Sequence, residues 1–417
     1  MRCTSRLRVA ARSLHSEADH TARSVALVDF QMDGHHSSYA VMLGRELRSM
    51  GWRVVAVGSA DFVAYVDAAG ACDVTSAVVA SAGIKVGVLD MKGRVSGMKA
   101  RAGNMARALR AAHDQGCESI HILYADTQFL SLVLALPGSS ILYRQLVLSF
   151  HGLFFLPQYA GGDILQLVRG IVQGVILCTM YHKGAHVTVH ADVFAKALQG
   201  WPWFISAERL HYPGAHAGED VVAACARRES IRAMLGIDSD VRLMLAFGRT
   251  DRHKGSLLAV ESLQYLPPSF HLAVVGSEEE VTESALMQAA SLVGVAGRVH
   301  LHLGFVPEED VLAWFVASDC LVLPYAPRFS GISASQMIAA RCALPSIVSS
   351  APGLREYVED YHLGRVFTPY DAPSLAREVK VCGCGPLDHD VVSRFCRDHS
   401  PAAFAAKLDQ LYLASGA

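Results

Sequence analysis

The chain has 417 residues, 52% of them hydrophobic and 18% charged, with 37 Lys+Arg against 39 Asp+Glu. That length and composition exclude a disordered chain and point to two domains, each with its own core. The net charge of −2 hides an asymmetry, since residues 1–216 hold 20 basic against 15 acidic side chains (+5) and residues 217–417 hold 17 against 24 (−7).

Residues 1–23 are basic but lack the continuous apolar core of about 7 to 15 residues that a secretory signal needs, and they read as a flexible tail. "SVALVDF" (24–30) is the first predicted strand. It leads into "DGHHSSY" (33–39), which has one glycine where a dinucleotide fingerprint has three, so NAD is not expected. His35 and His36 either face a cleft from this loop or lie exposed beside a serine cap at Ser37 or Ser38. A helix follows over 39–50, with Ala40, Leu43, Leu47 and Met50 on one face, and then the strand "RVVAVG" (53–58), completing a βαβ unit.

"KGRVSGMKARAGNMARALRAAH" (92–113) places Lys99, Arg101, Arg107 and Arg110 within three helical turns. It is either a solvated face or a contact for an anionic surface such as a phospholipid leaflet. Further strands are predicted at 119–124, 146–150 and 186–190. His151 directly follows the second of these and opens "HGLFF", either as a satisfied core histidine or as a cleft residue. The stretch 164–181 carries Arg169 and polar interruptions, falls short of the roughly 18 unbroken apolar residues of a membrane span, and reads as a buried helix.

The second half alternates strands and helices more regularly. "RLMLAFG" (242–248), "HLAVVG" (271–276), "RVHLHLG" (298–304), "CLVLPY" (320–325) and "PSIVSS" (345–350) predict five parallel strands, separated from the first half near "HYPGAHAGED" (211–220). Open α/β sheets bind ligands beyond the carboxyl ends of their strands. Two such turns carry suitable groups. In "FGRTDRHKG" (247–255), Arg249 offers a planar fork and Lys254 a point charge, a pair suited to a diphosphate. In "PYAPRFSGISASQMIAAR" (324–341), Ser330 and Gly331 sit at the expected start of a helix over 332–342, where N–H groups and the helix dipole favour a phosphate; Ser333 is a further donor, and Gln336 would reach a ribose hydroxyl. Asp238-Ser239-Asp240 precedes a strand and reads as a surface turn. The ten cysteines show no CxxC or Cys/His ligand spacing and read as reduced core thiols of a cytoplasmic protein.

From 242 to 379 the order and spacing of "GRTDRHKG", "LAVVG", "VHLHLGFVPEEDVLAWFVASDCLVLP", "SGISASQMIAARCALPSIVSSAPGLREYV" and "LGRVFTPYDAPSLA" resemble the nucleotide-sugar half of the GT-B glycosyltransferases of family 4, or group 1. The resemblance implies two Rossmann-like, doubly wound parallel-sheet domains facing a cleft. The expected division is a tail at 1–23, an acceptor domain at 24–213, a nucleotide-sugar domain at 214–395, and a helix at 396–417 that packs back on the first domain.

It also implies a retaining, metal-independent sugar transfer from a UDP- or GDP-type donor to a glycan or lipid-linked acceptor; the cysteine pattern sets this in the cytoplasm, and the basic stretch 92–113, in its second reading, at the inner face of a membrane. No nucleic acid partner is expected. By the same resemblance, Arg249 and Lys254 hold the diphosphate, Gly331 with Ile332 marks the phosphate-facing helix start, Gly304, Phe305 and Val306 contact the base, Gly34 belongs to a loop of the first domain, and His151 faces the donor sugar. The family pattern of Glu, seven residues, then Glu falls here on Arg328 and Gln336. That departure leaves open a second reading, a protein that binds a nucleotide sugar without turnover. A third reading, an epimerase, would need a carboxylate pair that the sequence does not show.

Overall fold

A computed structural model describes residues 23–31, 36–79, 91–156, 164–200, 202–213, 221–383 and 385–416. Gly34 and His35, residues 1–22 of the tail with Cys3, the link 214–220 and Cys384 lie outside these residues.

The first domain is built on seven parallel strands, β1 (Ser24–Asp29), β2 (Arg53–Ser59), β3 (Val74–Val79), β4 (Ser119–Ile122), β5 (Leu146–Phe150), β6 (His186–Val189) and β7 (Glu208–Arg209), in the order β3-β2-β1-β4-β5-β6-β7. The second has six, β8 (Arg242–Phe247), β9 (Phe270–Gly276), β10 (Val299–Leu303), β11 (Cys320–Leu323), β12 (Ser346–Ser349) and β13 (Gly364–Phe367), in the order β10-β9-β8-β11-β12-β13. Central strands such as β1, β5 and β11 are buried along their whole length, because helices cover both faces of a parallel sheet. In each sheet the strand order reverses once, between β1 and β4 and between β8 and β11, and a crevice opens at such a point.

Three strands go beyond the sequence expectation. β3 and β13 are partly exposed edge strands with short polar interruptions, and β7 has only two residues, so none carries an apolar run. The segment 164–181, expected to be buried, is helix Ile164–His182, which buries only its inner stripe; a helix laid on the outside of a sheet has one face left over. The cysteines also need correction. Among the described ones only Cys72, Cys117 and Cys320 are buried, and Cys225 is exposed.

The last helix, Pro401–Gly416, lies on the first domain. Its Phe404, Leu408 and Tyr412 share one core with Tyr39, Leu43 and Leu47 of helix His36–Ser49, and Trp52 Nε1 donates to Asp409 Oδ1 at 2.7 Å. Beneath it, His121 Nδ1 lies 2.6 Å from the Tyr412 hydroxyl and His121 Nε2 lies 2.7 Å from Ser149 Oγ. Burial pushes His121 from 6.5 down to about 3 and His190 down to about 4. Both rings are neutral in the fold yet take up protons in the unfolded chain. Stability is therefore complete above about pH 6.5 and falls with acidification toward the folded values, by up to about 1.4 kcal/mol per histidine per pH unit. The urea midpoint should drop between pH 7 and pH 5, and a midpoint that holds or rises would contradict this account.

Across the cleft the domains touch at several points. Helix Pro352–Tyr361 of the second domain presents Glu356 to the start of helix Asp192–Gln199 of the first, accepting from the Asp192 and Val193 N–H groups at 2.7 Å each. Arg209 lies between Asp192 (2.8 Å), Glu356 (3.4 Å) and Asp360 (3.4 Å). The Tyr357 hydroxyl donates to the His190 carbonyl at 2.6 Å. Burial raises the Glu356 carboxyl above its ordinary value, against the pull of the two N–H groups and Arg209.

Candidate active site

The site lies at the switch point between β8 and β11. After β8 the chain turns through Gly248 and Gly255, with φ of 118° and 70°, angles that favour glycine. A Cβ on Gly255 would strike the Pro324 carbonyl, so only glycine lets this turn lie against the end of β11. Between these glycines sit Arg249 and the short helix Arg252–Lys254. The two sequence-predicted turns are fastened together: Ala326 N donates to the His253 carbonyl at 2.7 Å, Ser335 Oγ to the Phe247 carbonyl at 3.3 Å, and the His253 ring stacks on Phe329. Phe247, Gly248, Arg249, Lys254, Pro324 and Tyr325 line the small recess between them.

Lys254 borders this recess with its ammonium 5.8 Å from the Tyr325 ring centroid. Arg249 is mostly exposed and pairs with Asp251 at 3.1 Å and Glu279 at 3.8 Å, so an arriving anion competes with two carboxylates for it. Ser256 also lines the recess, and its buried Oγ has no hydrogen-bond partner among the described residues; the same holds for Ser330 Oγ. Arg328 is exposed, with no ion-pair partner among the described residues.

The helix after β11 is Ala334–Arg341, two residues later in its start than expected, with Ser333 as its N-cap. Ser330 and Gly331 precede it and are buried, and Ile332 is half-buried. They are buried because the first domain reaches them: Gly331 forms a β-bridge with Gly152, and Leu153 N donates to the Ser330 carbonyl at 3.1 Å. A Cβ on Gly353 would fall on the Gly331 carbonyl oxygen, so this contact is close on both sides.

Gln336 differs from the expectation. It is fully buried, its Nε2 donates to the Leu354 carbonyl at 3.0 Å, and its Oε1 has no partner among the described residues. The amide ties two helices together and does not face solvent, because its position one turn into the helix falls on the packed side. Gly304, Phe305 and Val306 follow the edge strand β10, two strands from β8, and Phe305 is 86% exposed.

The His151 ring packs among Tyr124, Tyr39, His190 and Tyr212 of the first domain, and its backbone carbonyl is what borders the second domain. His151 is half-buried, with Nε2 3.0 Å from the Leu123 carbonyl and its ring stacked on Tyr124 at 3.9 Å. Its carbonyl is next to Gly331. Asp238 and Asp240 lie in an exposed turn before β8. No motif marks Glu356 or Arg209, because their pairing spans the two domains; Glu356 and Asp192 are 164 residues apart.

Residues 227–381 match the model of the family Glycosyl transferases group 1. Among curated proteins, the glycogen synthase of Alkalilimnicola ehrlichii is 29% identical over 156 residues, 36% of this chain and 31% of that protein. The D-inositol 3-phosphate glycosyltransferase of Xylanimonas cellulosilytica is 30% identical over 135 residues, 32% of each chain. The matched stretch thus spans about a third of these relatives. Of solved structures, the Anabaena protein HepE in complex with UDP superposes with a TM-score of 0.68 at 16% identity, covering 93% of this chain and 98% of that one. The chain therefore has the two-domain fold of GT-B glycosyltransferases, and residues 227–381 of its second half are similar to the Glycosyl transferases group 1 domain.

Proposed function

We propose that the protein is a retaining glycosyltransferase that moves a sugar from a UDP- or GDP-type nucleotide donor to a hydroxyl of a glycan or lipid-linked acceptor. The observation that carries this reading is the fastening of the Arg249–Lys254 turn to the Ser330–Gly331 turn at one switch point. Negative charge grows on the diphosphate as the anomeric bond breaks. In this scheme Arg249, Lys254, Arg328 and the N–H groups near Gly331 supply the stabilisation that meets this charge, which accelerates the reaction. With these cations a metal ion is unnecessary in the scheme. The unpartnered Ser256 and Ser330 hydroxyls are donors that a phosphate would satisfy. His151, across the bridge from Gly331, takes the side of the donor sugar. UDP in the structure of HepE, a neighbour in fold, supports a uridine nucleotide as the first to try.

Binding without turnover is the second reading, favoured by the inward-turned Gln336 and by Arg328 in place of an acid. The test is a melting curve with UDP, GDP and ADP, followed by release of nucleotide from their sugars. One nucleotide should raise the melting temperature, corresponding to about 2.7 kcal/mol at a hundredfold excess over Kd. A shift without nucleotide release across donors and acceptors selects the second reading, and no shift with any nucleotide removes both.

A further inference from the structure

Six aliphatic side chains of helix Ile164–His182 stand in solvent: Ile164, Leu167, Val168, Ile171, Val172 and Val175, with exposures from 38% to 75%. Their spacing sets them on one stripe. The opposite stripe is fixed to the protein. Leu177 and Met180 are buried, a Cβ on Gly174 would meet the Trp203 ring, and one on Gly170 would meet the Phe155 carbonyl. The helix therefore has no room to roll its aliphatic stripe inward. It contains no acidic residue, and Arg169 is exposed on it. Contiguous apolar surface of this kind marks an interaction site.

The same side of the first domain carries an excess of positive charge. Helices Met91–Asp114, Ala125–Ala135 and Ile164–His182 cover the same face of the first sheet, with Met105, Phe129 and Leu177 in one core. Lys99, Arg101, Arg107, Arg110 and Arg169 are exposed on these helices, against Asp114 as the exposed acid among the described side chains. Phe154, 55% exposed, lies two residues beyond Gly152, which bridges to Gly331 across the cleft, and beside Phe155, whose carbonyl packs on Gly170 of the helix.

We propose that this face docks on an anionic lipid bilayer, the aliphatic stripe sinking to the headgroup boundary and the basic side chains of this side of the domain meeting lipid phosphates. The helix lies in the interface: among the described residues, no helix is long and apolar enough to cross a membrane. A second copy of the chain fits the face worse, because it brings the same positive excess to the contact, which lipid phosphates neutralise and a copy does not. The inference rests on the transferase reading only for its consequence, that a lipid-linked acceptor enters the cleft past Phe154.

The test sediments the whole protein with vesicles of phosphatidylcholine alone or mixed with phosphatidylglycerol. The wild type should bind the mixed vesicles. Replacing Val168, Ile171, Val172 and Val175 by serine should lower partitioning about tenfold or more at any salt, with unchanged circular dichroism, since these groups are exposed. Changing Lys99, Arg101, Arg107 and Arg110 to glutamine should remove only the salt-sensitive part. The proposal is overturned by equal sedimentation of the serine variant and wild type, by no binding to either vesicle, or by a wild-type dimer that the serine variant abolishes without vesicle binding. The nucleotide melting shift keeps the two readings apart: a shift without vesicle binding sinks docking alone, and vesicle binding without a shift sinks the transferase alone.

Discussion

Replacing Lys254 by alanine is expected to lower donor-dependent turnover by about 10²-fold or more while moving stability by no more than about 1 kcal/mol. The ammonium borders the recess between β8 and β11, is only half-buried, and makes no ion pair among the described residues, so the fold relies on it little. In the proposed reaction it faces the phosphate that gains charge, and a fixed cation there acts on the barrier and not only on donor affinity. The measurement is kcat and KM for nucleotide release, with the melting temperature as control. Arginine at the same position should restore part of the rate, because the charge returns with a different shape. A variant that keeps wild-type kcat would remove Lys254 from the reaction.

Replacing Glu356 by alanine should loosen the two domains by about 2 to 4 kcal/mol. The carboxylate occupies the start of helix Asp192–Gln199, where two N–H groups and the helix dipole favour an anion, and it neutralises an Arg209 that is 14% exposed. Its removal leaves Arg209 with Asp192 and Asp360 alone. The melting temperature should fall and the radius of gyration from small-angle scattering should rise. Glu359→Ala on the same helix is the control: Glu359 pairs with Arg355 in solvent and should count for less than about 1 kcal/mol. If the two variants behave alike, the interdomain role of Glu356 is wrong.

How far the sequence was legible follows from where each signal resides. Strands β8, β9, β11 and β12 were readable because a strand covered on both faces becomes an uninterrupted apolar run. The edge strands β3 and β13 are half in water and carry no such run. The turns bearing Arg249, Lys254 and Gly331 were readable from glycine and charge at strand ends, since their chemistry is local. Which way Gln336 faces was not, as one residue's shift in the helix start changes the side on which it falls. Helix Ile164–His182 is apolar nearly all round, a pattern that reads as burial until the sheet shows only one side covered. Arg209 and Glu356 are ordinary charges in the sequence, and only the fold makes them neighbours.

The placement of the last helix sets an order on the birth of the molecule. Tyr39 packs on Phe404, with ring centroids 5.6 Å apart, and His121 finds its hydroxyl partner on Tyr412. A chain emerging from the ribosome has both groups of the first domain in hand long before either partner exists. That domain must therefore wait, with part of its core open, until the whole second domain and residues 401–416 have been made. A fragment ending at residue 213 should accordingly bind hydrophobic dyes and recover its native spectrum on addition of a peptide spanning 401–416.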